Sequence, residues 1–159
     1  MYSVAFVCMG NLVRSVMAKA LFDEMLKEIG NKNILSMSAG LTRLSGAKAA
    51  ENTIKICSNN GLDVSSHRSS QVDGGLIYEA ELVLTMEIEQ QRYLQSVYSE
   101  RSTKIFTLTG YGEGEERDIH DPYGEALEIF EDVFNEIKGE IQRILPLLLG
   151  ELENRVSNN

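Results

Sequence analysis

A cysteine, five residues, an arginine and a serine run together in Cys8-Met9-Gly10-Asn11-Leu12-Val13-Arg14-Ser15. A thiolate is a strong nucleophile, and an arginine fork binds two oxygens of a phosphate at once. Successive backbone N–H groups in a tight loop at a helix start add a cradle for an anion. Gly10 lets a ligand approach the backbone closely, and Asn11 tolerates left-handed geometry while its amide braces the loop. Cys8 then lies at the base of the cradle, where the N–H groups and the guanidinium favour its anionic form. Ser15 is placed to donate a hydrogen bond to the sulfur. The pattern alone is weak, because chance matches are common and a strand-end cysteine beside a surface cation would look the same. Its setting between an apolar strand and a helix start gives it weight.

Cleaving a phosphate ester also needs a proton for the leaving oxygen. Asp121, in Asp118-Ile119-His120-Asp121-Pro122-Tyr123-Gly124, is the candidate. Pro122 fixes the backbone beside it, and Tyr123 offers an aromatic wall to a flat substrate ring. Taken alone, this stretch reads as an Asp-Pro turn opening a helix. Together with the Cys8 loop it reads as an acid. His67 and His120 read as solvated or structural, Arg68 equally as a support of the positive rim or as a surface residue, and Cys57 as a small core residue. No spacing for a metal site is present, and no cofactor is expected.

These groups need elements to hold them. Tyr2–Val7 reads as a buried strand, followed by a helix capped by Ser15 and ended by Gly30, with Met17, Leu21, Met25 and Ile29 on one face. Ile34–Ala39, Glu81–Met86 and Lys104–Leu108 read as further strands. Ala47–Asn59 and Glu87–Tyr98 read as helices. Asp63–Gly75 and Thr109–Tyr123 read as polar connections. The strongest periodicity runs from Gly124 to about Leu149 through Phe130, Phe134, Ile137, Ile141, Leu145 and Leu148. Pro146 is expected to kink or stop that helix. Alternating strands and helices predict an α/β fold, a four-stranded parallel sheet with helices on both faces in a single domain. Residues 1–150 form the expected domain and 151–159 a frayed tail. Ligands of such sheets bind beyond the C-terminal strand ends, where Cys8 and Asp121 both fall.

The chain has 159 residues and a net charge of −9. That balance argues against polyanion and anionic-membrane partners, so neither nucleic acid nor membrane is expected. Its distribution is uneven. Residues 1–72 carry eight Lys/Arg and five Asp/Glu, a net of +3, while residues 73–159 carry seven and nineteen, a net of −12. The first part can host an anion, and the second is expected to repel acidic protein substrates. Two cysteines make no disulfide framework. The N-terminus shows no secretory pattern, so the cytoplasm is the expected compartment, where a free thiol persists.

The Cys8–Ser15 loop, Ser38-Ala39-Gly40 after the second strand and Asp121-Pro122-Tyr123-Gly124 together resemble the low-molecular-weight protein tyrosine phosphatase family, over Val4 to about Leu145. The resemblance implies a metal-free, two-step reaction on a phosphorylated protein. Cys8 is then the nucleophile, Arg14 the phosphate binder, and Asp121 the acid and later the base against a phosphocysteine. Met9, Gly10, Asn11, Leu12, Val13, Arg14 and Ser15 hold the phosphate, and Leu44 and Tyr123 flank the substrate. A monomer is expected. The chain departs from the family in three places. Val13 stands where many members have a second cysteine, Val16 where proline is usual, and Leu44 where the wall is often aromatic.

Three relatives compete with this reading. Arsenate reductases of the same fold need further redox cysteines, which this chain lacks. Bacterial protein arginine phosphatases are similar in Lys104–Leu108 and Ser38–Ala47, yet typically carry Thr where Leu12 stands. Leu12 is apolar, as in tyrosine phosphatases, and so favours phosphotyrosine. A phosphate-binding module without turnover is the third, and the joint presence of Cys8, Arg14 and Asp121 argues against it.

Overall fold

Seven residues of unbroken apolar or small character form β1, Tyr2–Cys8, buried at every position but Ser3. The computed structural model describes residues 1–158. The chain continues through α1 (Arg14–Glu28), β2 (Ile34–Gly40), α2 (Glu51–Asn59), α3 (Gly74–Glu79), β3 (Leu82–Thr85), α4 (Ile88–Val97), a 3-10 turn (Ser99–Lys104), β4 (Ile105–Thr107) and α5 (Leu127–Ser157). All strand pairs are parallel, in the order β2-β1-β3-β4. The expected four-stranded α/β domain is therefore present.

Strand residues alternate between two cores. Val4, Phe6 and Cys8 of β1 join Leu82 and Leu84 of β3 in one apolar cluster with α1, α2 and α5. Ala5 and Val7 join Val83, Ile77, Leu94 and Ile105 in the other, under α3 and α4. Burial on both faces explains why β1 shows a continuous apolar run. The chain order reverses between β1 and β3, the crevice where doubly wound sheets bind ligands.

Several expectations are corrected by packing. Ser15 does not cap α1. The helix begins at Arg14 after Val13 without a side-chain cap, because the Ser15 hydroxyl is engaged by Cys8 and Asn11. The stripe on α1 runs through Phe22 and Leu26, and Ile29 is exposed. Steps of four residues drift by about 40° each on a helix, which carries Ile29 off the buried face. α2 starts four residues later than expected, since Ala47 is bonded to Ser69 and the Ala50 N–H to the Leu12 carbonyl. α3 lies partly in the expected Asp63–Gly75 connection and is capped by Asp73, whose Oδ1 accepts from the Leu76 N–H at 2.8 Å.

The Thr109–Tyr123 loop is not all solvated, as Tyr111 and Ile119 are core residues. Arg143 of α5 holds the loop by donating to the carbonyls of Leu108, Thr109 and Tyr111. α5 starts at Leu127, passes Pro146 without ending and continues to Ser157. Pro146 sits on the exposed side of the helix, and Ile144, Leu145 and Leu148 remain buried around it. The expected frayed tail is helix because Leu152 packs on the core, Tyr111 donates to Glu151 at 2.7 Å, and the Arg155 guanidinium lies 5.2 Å from the centre of the Tyr2 ring. Asn159 lies outside the described residues.

Burial pushes the Tyr2 hydroxyl up from 10.0 to about 12, with Glu151 adding to the rise and Arg155 opposing it. Burial alone pushes the Cys57 thiol up from 9.0 to about 12, as a core residue requires. A raised folded-state value gives stability that is intact below the unfolded value and lost as pH climbs through the folded one. The melting temperature is therefore expected to fall between about pH 9 and 12, first through Cys57 and from about pH 10 through Tyr2 as well. Among the described residues the Tyr2 hydroxyl has no hydrogen-bond partner, so Tyr2→Phe should flatten that decline while leaving the neutral-pH melt nearly unchanged. Parallel alkaline profiles for the two proteins would show that Tyr2 is not a source of it.

Candidate active site

β1 ends at Cys8 and α1 begins at Arg14, so the intervening residues must turn sharply at the sheet's C-terminal rim. Asn11 takes the left-handed conformation there, with φ 56°. It is fully buried, and every polar atom of its side chain is used. Nδ2 donates to Ser15 Oγ at 2.8 Å and to Ser38 Oγ at 3.0 Å, while Oδ1 accepts from the Ser70 N–H at 3.1 Å. The Asn11 carbonyl accepts from His67 Nε2 at 2.8 Å, which fixes the proton of that imidazole on Nε2.

Cys8 Sγ accepts from the Asn11 N–H at 3.3 Å and lies 3.0 Å from Ser15 Oγ. Ser15 Oγ already accepts from the Asn11 amide, so its own proton is available to a thiolate. Gly40 pairs with Cys8 across the sheet. A Cβ on Gly40 would fall 2.9 Å from Met9 O, Gly10 C and Asn11 N. Only glycine leaves room for the loop, which gives the Ser38-Ala39-Gly40 sequence its physical meaning.

Arg14 is 1% exposed and its guanidinium is anchored on one edge. Nη1 donates to Glu87 Oε2 and to the Ile119 carbonyl, both at 2.7 Å. Those bonds commit both Nη1 protons and leave Nε and Nη2 as donors. Nη2 lies 3.4 Å from Asp121 Oδ2, so the two ends of the sequence meet at one guanidinium. Glu87 is itself fixed by the capping box of α4, where Gln90 Nε2 donates to Glu87 Oε2 at 3.0 Å.

Cys8, Met9, Gly10, Leu12, Val13, Arg14, Thr42, Leu44, Asp121 and Tyr123 line one cleft of about 290 Å³. Asn11 and Ser15 lie behind it as supports. Two larger concavities, of about 930 and 460 Å³, lie along α5, and no cysteine is among the described residues that line them. Sequence reasoning did not single out Thr42 or Ser70, took Glu87 as part of a polar helix, and read His67 as solvated or structural. Of these, only Glu87 carried a signal, as the acid of a Glu-x-x-Gln capping box. Among the described residues no cluster of potential metal ligands occurs.

The cleft thus brings a thiol, a guanidinium and a carboxylate to one space. Residues 3–157 match the family model described as low molecular weight phosphotyrosine protein phosphatase. A probable low molecular weight protein-tyrosine-phosphatase, EpsP, of Ralstonia nicotianae is 33% identical over 91% of this chain and 94% of its own. The low molecular weight protein tyrosine phosphatase structure from T. tengcongensis superposes with a TM-score of 0.87, at 33% identity over 92% of this chain and 99% of that one. A YwlE arginine phosphatase structure from Geobacillus stearothermophilus gives 0.89, at 29% identity over 97% of both chains. The chain belongs to the low molecular weight phosphotyrosine protein phosphatase family.

Gly40→Ala should push the loop away from β2. A displacement of this kind is expected to lower kcat/KM toward an aryl phosphate by about 100-fold and stability by about 1–3 kcal/mol. Steady-state kinetics beside a thermal melt measures both. Wild-type kinetics in this variant would mean that the loop does not need the close approach.

Proposed function

We propose that the protein hydrolyses phosphotyrosine in phosphorylated proteins through a phosphocysteine on Cys8. The observation that carries this reading is the single cleft in which the Cys8 thiol, the Arg14 guanidinium and the Asp121 carboxylate converge. The N–H groups of the Met9–Ser15 segment and the free edge of Arg14 hold three phosphate oxygens. The Cys8 thiolate attacks phosphorus opposite the tyrosine oxygen, and Asp121 gives its proton to that oxygen as the bond breaks. Asp121, now a carboxylate, takes a proton from a water that attacks the phosphocysteine. Sulfur leaves as a thiolate that the Ser15 hydroxyl and the Asn11 N–H stabilise. Leu12, Leu44 and Tyr123 give the phenyl ring apolar walls. Residues 1–150 carry the reaction, as a monomer in the cytoplasm. Among the described residues no helix is long and apolar enough to cross a membrane.

Turnover of para-nitrophenyl phosphate in the presence of EDTA tests the chemistry. Cys8→Ser should abolish it. Asp121→Asn should slow hydrolysis of phosphotyrosine by about 10²–10⁴-fold, and less for aryl phosphates with better leaving groups. Unchanged turnover in Cys8→Ser would exclude the phosphocysteine.

The arginine phosphatase relatives favour a second reading, phosphoarginine hydrolysis on the same scaffold. The apolar Leu12 side chain at the cleft wall offers no hydroxyl to a guanidinium, which supports the tyrosine reading. The wild type is expected to prefer phosphotyrosyl over phosphoarginyl peptide by at least about tenfold, and Leu12→Thr to narrow that ratio. The reverse preference in the wild type would establish the second reading.

A further inference from the structure

The mouth of the cleft has two banks of unlike charge. One bank is the segment after β2. The Leu41 N–H donates to Cys8 O at 3.1 Å and the Thr42 N–H to Met9 O at 3.0 Å, which seats this segment on the phosphate loop. Thr42 and Leu44 line the cleft, and exposed Arg43 stands between them. Gly46 and Ala47 are bonded to Ser69 in both directions at 2.7 Å, which joins Lys48 and Arg68 to the same bank. Arg68 follows His67, the residue that donates to Asn11 in the loop, and among the described residues its guanidinium is tied only to the His67 carbonyl. Arg43, Lys48 and Arg68 are exposed, and among the described residues none is paired with a carboxylate. Glu51, at the start of α2, is the one carboxylate in residues 41–51.

The other bank is the loop that carries Asp121 and Tyr123. It presents Asp118, Asp121 and Glu125, all exposed, with His120 as its only basic side chain between residues 118 and 125. Asp118 accepts from the Ile88 N–H, while exposed Glu89 on α4 is paired with Arg92 at 3.1 Å. A chain lying across the cleft therefore meets cations on one side of its phosphorylated residue and carboxylates on the other.

We propose that Arg43, Lys48 and Arg68 form a docking subsite for acidic residues that flank the phosphorylated residue of the protein substrate. The proposal rests on the phosphatase reading above for the position of that residue. It narrows the expectation that residues 73–159 repel acidic substrates, confining the repulsion to the Asp118–Glu125 bank. Exposed charges act across water over about one Debye length, roughly 8 Å at physiological salt. The subsite therefore works mainly on encounter and orientation, and salt weakens it.

Fluorescent phosphotyrosyl peptides of one core sequence, with acidic, neutral or basic flanks, test the idea. Their affinities for Cys8→Ser protein and their kcat/KM with wild type are measured at low and high salt, beside para-nitrophenyl phosphate. Acidic flanks on one side should give about tenfold tighter binding than basic flanks at low salt, with the gap closing as salt rises. Arg43→Glu, Lys48→Glu and Arg68→Glu combined should invert the order and leave para-nitrophenyl phosphate turnover unchanged. Should the triple variant fold poorly, Arg43→Gln and the salt series on wild type carry the same comparison. Equal affinities for the three peptides beside normal para-nitrophenyl phosphate turnover overturn the subsite and leave the phosphatase reading intact. Discrimination among the peptides without any turnover supports the subsite and overturns the phosphatase reading.

Discussion

The Asn11 side chain is buried within the Cys8–Ser15 loop, and it bonds to Ser15, Ser38 and Ser70. A buried polar group left unpaired costs about 1–3 kcal/mol, so these bonds are maintained together or not at all. They join four separate parts of the chain: the loop itself, the start of α1, the end of β2 and the segment before α3. The backbone of the same residue adopts a left-handed turn and points its N–H at the Cys8 sulfur. The proposed nucleophile, the cradle and the helix start thus depend on one amide.

A second constraint acts from the opposite side of the cleft. Arg14 carries a buried positive charge, which is tolerable only with close partners. Glu87 from the start of α4 and the Ile119 carbonyl fix one edge, and Asp121 approaches the other. The guanidinium is therefore held at one orientation before any ligand arrives. The Arg143 bonds to residues 108–111 do similar work further out, anchoring the loop that delivers Asp121 to α5. Preorganised donors of this kind stabilise charge in a reaction without reorganising during it.

Elements governed by local pattern were legible from the sequence. The four strands, the phosphate loop and the apolar stripe of α5 all follow from periodicity and residue type, because burial imposes those patterns on any sequence that folds this way. Elements governed by contacts far along the chain were not. Ser15 looked like a helix cap, yet its hydroxyl is taken by Cys8 and Asn11. The end of α5 looked frayed until Tyr2, Tyr111 and Glu81 came within reach of Glu151 and Arg155. Glu87 carried only the mark of a helix start, and nothing in its neighbourhood pointed to Arg14.

By itself the sequence determined the residue types: a thiol, an arginine fork, a carboxylic acid and the small or left-handed-tolerant residues that let a loop close around an anion. It also set the charge imbalance between the two parts of the chain. Tertiary structure alone decided which groups meet. Cys8 and Asp121 share a cleft because β1 and the loop after β4 end on the same rim of a parallel sheet. Thr42 and Leu44 meet Asp121 and Tyr123 because two segments distant in sequence close the same opening. Distances of that kind are set by strand order and side-chain packing, which no local stretch of residues encodes.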